Sequence, residues 1–424
     1  MSNCVEGRER VAVVGSGVSG LTAAYLLQGR YSVTLYEEAA RLGGHADTHN
    51  VQSDDAGELC VDTGFIVYNE ATYPFLTKLL AELEVATQPT DMSMSIQCKG
   101  CGLQYAGGRG LGGVLAQPRS LLRPSFLSML WEIRRFNRLA SAEIKQDEDE
   151  RTLADFLAEH GFSAYFIRHY VIPVVSCVWS SGTTESLKYP ARYLFVFLDN
   201  HGMLSIRRSP RWRTIRGGSR TYVDRIAQRL DVVKVNTPVR SVTRDEGYIT
   251  IRDGRGDEAR FERVVIATHA DTALGLLADS SVVEKEILGA FDYSQNDTVL
   301  HADATILPRA PRARASWNFL ASGCHAVDER VVVTYDMNRL QALPTSTPML
   351  VTLNAEGRVA RDQIRASMRY AHPIFTLESV AAQRRLHELG DDRLVFAGAY
   401  HGWGFHEDGC RSGVAAAAAL GASW

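Results

Sequence analysis

This sequence has little lysine, no long apolar run and almost no net charge. Six lysines stand against 40 arginines. The bias reflects base composition and not a binding surface, because no arginine-rich tract lies apart from the expected helices. No segment approaches 18 consecutive apolar residues, so no membrane-crossing helix is expected. A net charge of -3 over 424 residues argues against a polyanionic partner such as nucleic acid. Cysteine is scarce and odd in number, seven in all. Scattered thiols suit a reducing compartment better than a disulfide frame. The opening MSNCVEGRER lacks the apolar core of a signal peptide, so a cytoplasmic location is expected. There is no internal repeat, and the length calls for about two domains.

What is present begins at Val11. Val11 to Val14 has the β-branched, small-residue character of a strand buried on both faces. Gly15-Ser16-Gly17-Val18-Ser19-Gly20 follows at once and opens a helix. The first glycine permits the turn, the second lets a pyrophosphate approach the backbone, and the third lets helix and strand pack closely. The helix then presents free N–H groups and the positive end of its dipole. Tyr31 to Tyr36 reads as a second strand, and Glu37 stands where a carboxylate accepts from a ribose diol.

The chain supplies its own control. Gly108-Arg109-Gly110-Leu111-Gly112-Gly113 fits the same pattern, yet no hydrophobic strand precedes it and Pro118 interrupts a following helix, so it reads as a loop. Cys98-Lys99-Gly100-Cys101 is the one close cysteine pair. A zinc site would want a second pair, so a hairpin turn is expected there and no metal.

Further along, Thr72 to Leu83 shows helical spacing, and residues from about 115 to 215 read as mostly helical. Phe126, Leu127, Leu130, Ile133 and Leu139 form one apolar face, with Arg134, Arg135 and Arg138 nearby. Such a helix either belongs to a second domain, the preferred reading, or makes peripheral membrane contact. The acidic run Asp147 to Glu150 leads to Thr152, an N-cap for Leu153 to His160. Val171 to Trp179 and Tyr193 to Leu198 suit either core or the wall of an apolar cavity. Gly217-Gly218-Ser219 opens a helix. Strands then follow over 232–235, 239–244, 248–252 and 261–267, and later over 298–306, 331–335, 349–353 and 393–398.

These blocks, in this order, resemble the FAD-dependent amine oxidase and phytoene desaturase superfamily over nearly the whole chain. Four carry the resemblance: the fingerprint with Glu37-x-x-x-Arg41-x-Gly43-Gly44; Asp62-x-Gly64; Gly217-Gly218 with Val239 and Val264 to Thr268; and Phe396-Ala397-Gly398 with Gly404-Phe405 and the helix from Gly409. The segments VDTGFIVYNEATYPFL, YPARYLFVFLDNHGML and GFHEDG look like the branch of NAD/FAD-binding proteins found alone or joined to cyclopropane-fatty-acid synthases. The resemblance implies an α/β, two-domain flavoprotein: a Rossmann-like FAD-binding domain from 1–90, 213–280 and 389–424, and a mixed α+β substrate domain from 91–212 and 281–388.

It also implies FAD contacts from Gly15, Gly17, Val18, Ser19, Gly20, Glu37, Glu38, Arg41, Gly43, Gly44 and His45. Further contacts are implied for Thr63, Gly64, Phe65, Val239, Ala267, Gly398, Gly404, Phe405 and Gly409. Relatives place a lysine on a substrate-domain strand where His301 is expected here. A histidine there either handles a proton or is a hydrogen-bonded core residue. His406 either transfers a proton beside the flavin or, with Glu407 and Asp408, belongs to a helix cap. Phe405 keeps an aromatic wall but removes the hydroxyl some amine oxidases have. The expected activity is hydride removal from a carbon of an apolar or acyl substrate. Amine oxidation, isomerisation without net redox and a non-catalytic FAD-bound role are the alternatives. With no second dinucleotide fold, oxygen, a quinone or another protein is the expected electron acceptor.

Overall fold

The computed structural model describes residues 7–145, 151–204, 210–325 and 330–424. Asp147 to Glu150, read above as an acidic run, lie outside the described residues.

A parallel five-stranded sheet forms around the opening strand Arg10–Val14, which pairs with Ser32–Tyr36 on one side and Arg263–Ile266 on the other. Val232–Lys234 and Leu394–Phe396 close its edges. Alternation sorts these strands between two cores. Val11, Val13, Val33, Leu35 and Val265 face the helices Val18–Leu27 and His406–Ala419. Ala12, Val14, Val264 and Ile266 face a second layer built on the antiparallel strands Val239–Arg244, Ile249–Asp253 and Glu258–Phe261. The expected strand over 261–267 is therefore two elements. Phe261 ends one sheet, and Arg263 starts a strand in another.

A seven-stranded sheet makes the other half, in the order Ile364–Ile374, Asp292–His301, Leu350–Leu353, Val332–Asp336, Trp317–Ala321, Met94–Cys98, Gln104–Gly107. All its pairings are antiparallel except that of Trp317–Ala321 with Met94–Cys98. Against it packs a helical layer that includes Pro124–Glu143, Leu153–Glu159, Ile172–Trp179 and Ala191–Asn200. Thr152 caps its helix through Asp155 as its sequence requires.

Two expectations are corrected. The helix Pro124–Glu143 buries Phe126, Met129, Phe136 and Ala140, while Leu127 and Trp131 stand in solvent. The second glycine pattern is not a bare loop: the strand Gln104–Gly107 precedes it, and the five-residue helix Gly110–Val114 occupies it. That strand is an edge strand paired antiparallel to its one neighbour, so the strand-to-helix geometry of a nucleotide turn is still missing.

Candidate active site

The first helix, Val18–Leu27, begins at Gly17 with no side-chain cap and no acid in its first turn. Its leading N–H groups are therefore left for an outside acceptor. The three glycines around it differ in what confines them. A Cβ on Gly15, whose φ is +98°, would meet Ala267 O at 2.7 Å, and one on Gly20 would meet Gly15 O at 1.9 Å. A Cβ on Gly17 would meet nothing within 4 Å. Protein fills the space at the first and third positions and leaves the second open. A pyrophosphate needs that opening.

Glu37, at the end of the second strand, accepts from Ser16 N at 3.0 Å and from Ala39 N at 2.8 Å, so it braces the glycine turn it follows. Gly43 N donates to Ser16 O and Oγ, both at 3.1 Å, and Gly44 lies against Gly17. Arg41 pairs with Asp47 at 2.9 Å, while Glu38 is exposed. Next to Thr63, the backbone of Gly64 and Phe65 folds onto His45, with Phe65 N donating to His45 O at 2.7 Å. Asp62 is buried and accepts from Thr48 Oγ1, Ser219 N and Ser219 Oγ, which ties the Gly217-Gly218 turn to this wall. Burial still pushes its carboxyl up to about 6.

The C-terminal helix His406–Ala419 lies directly on the first helix. A Cβ on Gly413 would sit 2.3 Å from Ser19 O, and one on Gly409 would sit 2.6 Å from Val18 Cγ1. Ser412 Oγ accepts from Gly398 N at 2.9 Å and joins the last strand to this helix. Gly404, at φ +89°, lets the chain turn past Pro373 into the helix. Val239 lies in the second layer near Val14 and Tyr36. Beginning, middle and tail of the chain thus converge on one place.

The His406-Glu407-Asp408 cluster divides its labour. Asp408 accepts from Phe405 N at 3.1 Å and from Arg411 at 2.7 Å, so it caps its own helix. Glu407 accepts from Phe75 N at 3.1 Å and Leu76 N at 3.0 Å, so it caps the helix Pro74–Glu82. Burial raises Glu407 to about 7 and Asp408 to about 6. His406 is left: its ring stacks on Phe65 with centroids 3.7 Å apart, and its Nε2 has no partner. Burial lowers it to about 3, so it is neutral at physiological pH.

Sequence reasoning missed three rings and a strand. His45, His269, His372 and Tyr370 surround one spot, with His45 5.4 Å from His372, 6.4 Å from His269 and 5.2 Å from Tyr370 between centroids. Burial, then the neighbouring histidines, hold His45 well below its usual range, and burial lowers His372 to about 4. Asn296 Nδ2 lies 3.0 Å from His372 Nδ1. An amide nitrogen can only donate, so His372 carries its proton on Nε2. Tyr370 OH donates to Asp47 at 2.8 Å. Tyr370 and His372 lie on Ile364–Ile374, whose regular alternation of side-chain character was the signal available.

His301 does not join this group. It is fully buried, with Nε2 2.7 Å from Thr352 Oγ1 and Nδ1 accepting from Asp303 N at 3.2 Å. Thr352 lies on the opposite sheet face from Val351 and Leu300, which pack on Val51 and Val61 beside the nucleotide half. Of the two roles left open by the sequence, the structure gives His301 that of a hydrogen-bonded core residue. The strand's contribution at the histidine cluster is Asn296. Phe405 stacks on Phe197 at 4.9 Å and meets Trp179 edge-on at 6.2 Å, against the helical layer.

The open glycine, the uncapped helix and the unpartnered His45 Nε2 and His406 Nε2 fit a dinucleotide with a polar ring system. Fold and site together define a two-domain flavoprotein oxidoreductase. The family model described as flavin containing amine oxidoreductase matches residues 18–293, and the chain belongs to that family. It is an FAD-dependent oxidoreductase. Among solved structures, cyclohexylamine oxidase from Brevibacterium oxydans IH-35A superposes with a TM-score of 0.70 at 17% identity, covering 97% of this chain and 98% of that one. The CLA-producing fatty acid isomerase from P. acnes gives 0.67 at 15% identity, covering 96% and 97%. An L-amino-acid oxidase of Pseudechis australis is 47% identical over 47 residues, which span 11% of this chain and 9% of that protein.

Proposed function

We propose that this enzyme removes a hydride from a carbon of an apolar substrate, an acyl chain being the class that fits best. The carrying observation is the character of the wall beside the C-terminal helix. Phe405, Phe197, Trp179 and Trp403 pack together there, and the two nearest acids, Glu407 and Asp408, are occupied as helix caps. Such a wall binds hydrocarbon by burial and offers little to a charged group.

Bound FAD supplies the two-electron redox chemistry, accepting hydride at flavin N5. The chain's own residues bind and orient. The N–H groups after Gly17 hold the pyrophosphate, and Glu37 holds the adenosine ribose in the position its bracing of Ser16 prepares. The N-terminus of His406–Ala419 favours negative charge next to it. His406, His45 and His372 enter as neutral groups that give or accept a hydrogen bond without adding positive charge. The aromatic wall excludes water.

The exposed surface of the substrate half supports this reading. Leu111, Leu121, Leu122, Leu127 and Trp131 are all exposed, and no acid occurs between Asp91 and Glu132, where Arg119 and Arg123 lie. Exposed apolar side chains flanked by arginine suit shallow contact with an anionic bilayer. Among the described residues no helix is long and apolar enough to cross one. The similarity to a fatty acid isomerase of known structure supports the acyl class, and that to an amine oxidase supports the second reading, oxidation of a small amine.

Anaerobic mixing with a long-chain fatty acid should bleach the visible flavin band, and readmitted oxygen or a quinone should restore it. Bleaching by simple amines alone, with peroxide on aeration, would overturn the acyl assignment. Substrate conversion without acceptor consumption would identify an isomerase.

A further inference from the structure

We propose that Cys98, Cys101, His169 and Cys324 form a structural zinc site in the substrate half, where the sequence led to an expectation of no metal. The hairpin expected at Cys98-Lys99-Gly100-Cys101 is present between Met94–Cys98 and Gln104–Gly107. The ligands that complete it come from elsewhere in the chain, so no second close pair is needed. One ligand atom from each of the four residues lies within 4.8 Å of all the others.

The geometry discriminates between a metal and a disulfide. Tetrahedral zinc, with Zn–S of about 2.3 Å and Zn–N of about 2.0 Å, separates its ligand atoms by roughly 3.5 to 3.8 Å. Cys98 Sγ and Cys324 Sγ are 3.6 Å apart, and Cys101 Sγ and His169 Nε2 are also 3.6 Å apart. A disulfide would bring two sulfurs to about 2.05 Å and leave the histidine and third thiol without a role.

Each ligand is also aimed. His169 Nδ1 lies 2.9 Å from the carbonyl of Tyr165, which can only accept, so the proton is on Nδ1 and the Nε2 lone pair faces the sulfurs. Metal-binding histidines are commonly oriented by such a second contact. Tyr165 stacks on the ring with centroids 4.2 Å apart. His169 sits in a π-helical turn, Ile167–Val171, a rare geometry that recurs at functional sites. At the hairpin, the backbone N–H of Cys101 is directed at the Cys98 sulfur and that of Leu103 at the Cys101 sulfur. A Cβ on Gly100 would meet Cys324 N at 2.7 Å, so glycine lets the Cys324 loop close over the turn.

Three thiols and a neutral imidazole select zinc over calcium or magnesium, which take oxygen ligands. On binding, each thiol gives its proton to solvent, and no electron changes hands. The ion would fasten the sheet edge to the helical run that continues into Ile172–Trp179, and so fix the position of Trp179 in the aromatic wall.

The holoenzyme, purified without chelator, should contain one equivalent of zinc by mass spectrometric metal analysis. Cys324→Ser and Cys101→Ser should lose it, while Cys60→Ser, on a distant strand, should keep it. Because those variants can misfold, wild-type protein exchanged with cobalt supplies a second readout. Thiolate-bound tetrahedral cobalt should add absorption to the red of the flavin bands. Wild-type protein without metal, with Cys98 and Cys324 joined in a disulfide or all four residues open to modification, would overturn the proposal. So would cobalt-treated protein lacking those bands.

Discussion

Two glycine-rich turns in this chain share one spacing and sit in different surroundings. Gly15 to Gly20 links an interior strand of a parallel sheet to a ten-residue helix, and Gly20 cannot gain a Cβ without striking Gly15 O. Gly108 to Gly113 follows an edge strand and holds a helix of five residues; Gly110 and Gly112 face open space, while a Cβ on Gly108 would meet Met92 O at 2.9 Å and one on Gly113 would meet Ala106 O at 2.8 Å. Both turns confine their first and third glycines and leave the second open, the confinement being tightest at Gly20, so the letters alone do not separate them. The difference lies in what packs against the turn, which only the neighbouring strand and helix reveal.

The sharpest way to break this comparison is Gly20→Ala. With its Cβ 1.9 Å from a backbone oxygen, it should cost about 3 kcal/mol or more and abolish FAD retention. Thermal unfolding and flavin absorbance of the purified variant check both. Normal flavin content would show that the first turn tolerates what the contacts forbid.

Acid should then strain the first turn through its neutral rings. The folded-state pKa of His406 lies near 3, below its ordinary value of 6.5. Its neutral form therefore supports folding above about pH 6.5, and that support is lost as pH falls toward 4. Asp62, Glu407 and Asp408, raised by burial, act in the opposite sense over the same range. The clean measurement is thus a difference. His406→Gln should gain on the parent by about 2 to 3 kcal/mol between pH 7 and pH 4 in parallel denaturant titrations. A constant gap would remove His406 from the acid response.

A smaller loss is expected where the last helix presses on the first. Gly413→Ala puts a Cβ 2.3 Å from Ser19 O, which should cost about 2 kcal/mol and weaken FAD binding, read by equilibrium dialysis. The smallest effect belongs to the second turn. Gly112→Ala should leave flavin content unchanged and shift stability by no more than about 0.5 kcal/mol, toward stabilisation. A loss as large as that of Gly20→Ala would contradict the open space around Gly112.

The nucleotide half was legible because its signals are local. Val11 to Glu37 contains strand, turn, helix, strand and acid in one unbroken run, and each residue's role depends on neighbours close in sequence. Asp408 as a cap was equally readable, since the cap and its helix are contiguous. His301 lies on the sheet face opposite Leu300, and which face a strand residue takes depends on register, which spacing in the sequence does not fix. Asn296, His372 and His45 meet across three separate segments, and Cys324 approaches Cys98 across the sheet. Neither meeting leaves a trace in spacing. The strand Ile364–Ile374 alternates plainly, with Arg365 and Arg369 on its exposed face and Tyr370 and His372 on the other.

The sheet begun by Arg10–Val14 is completed only by Leu394–Phe396 and the helix after it. During synthesis at about 5 to 20 residues per second, the first of these strands leaves the ribosome roughly 20 to 80 seconds before the last. Throughout that interval the nucleotide cradle lacks an edge and the helix that lies across its first turn. The complete FAD cradle can therefore form only after Leu394–Phe396 and the helix that follows it have been made.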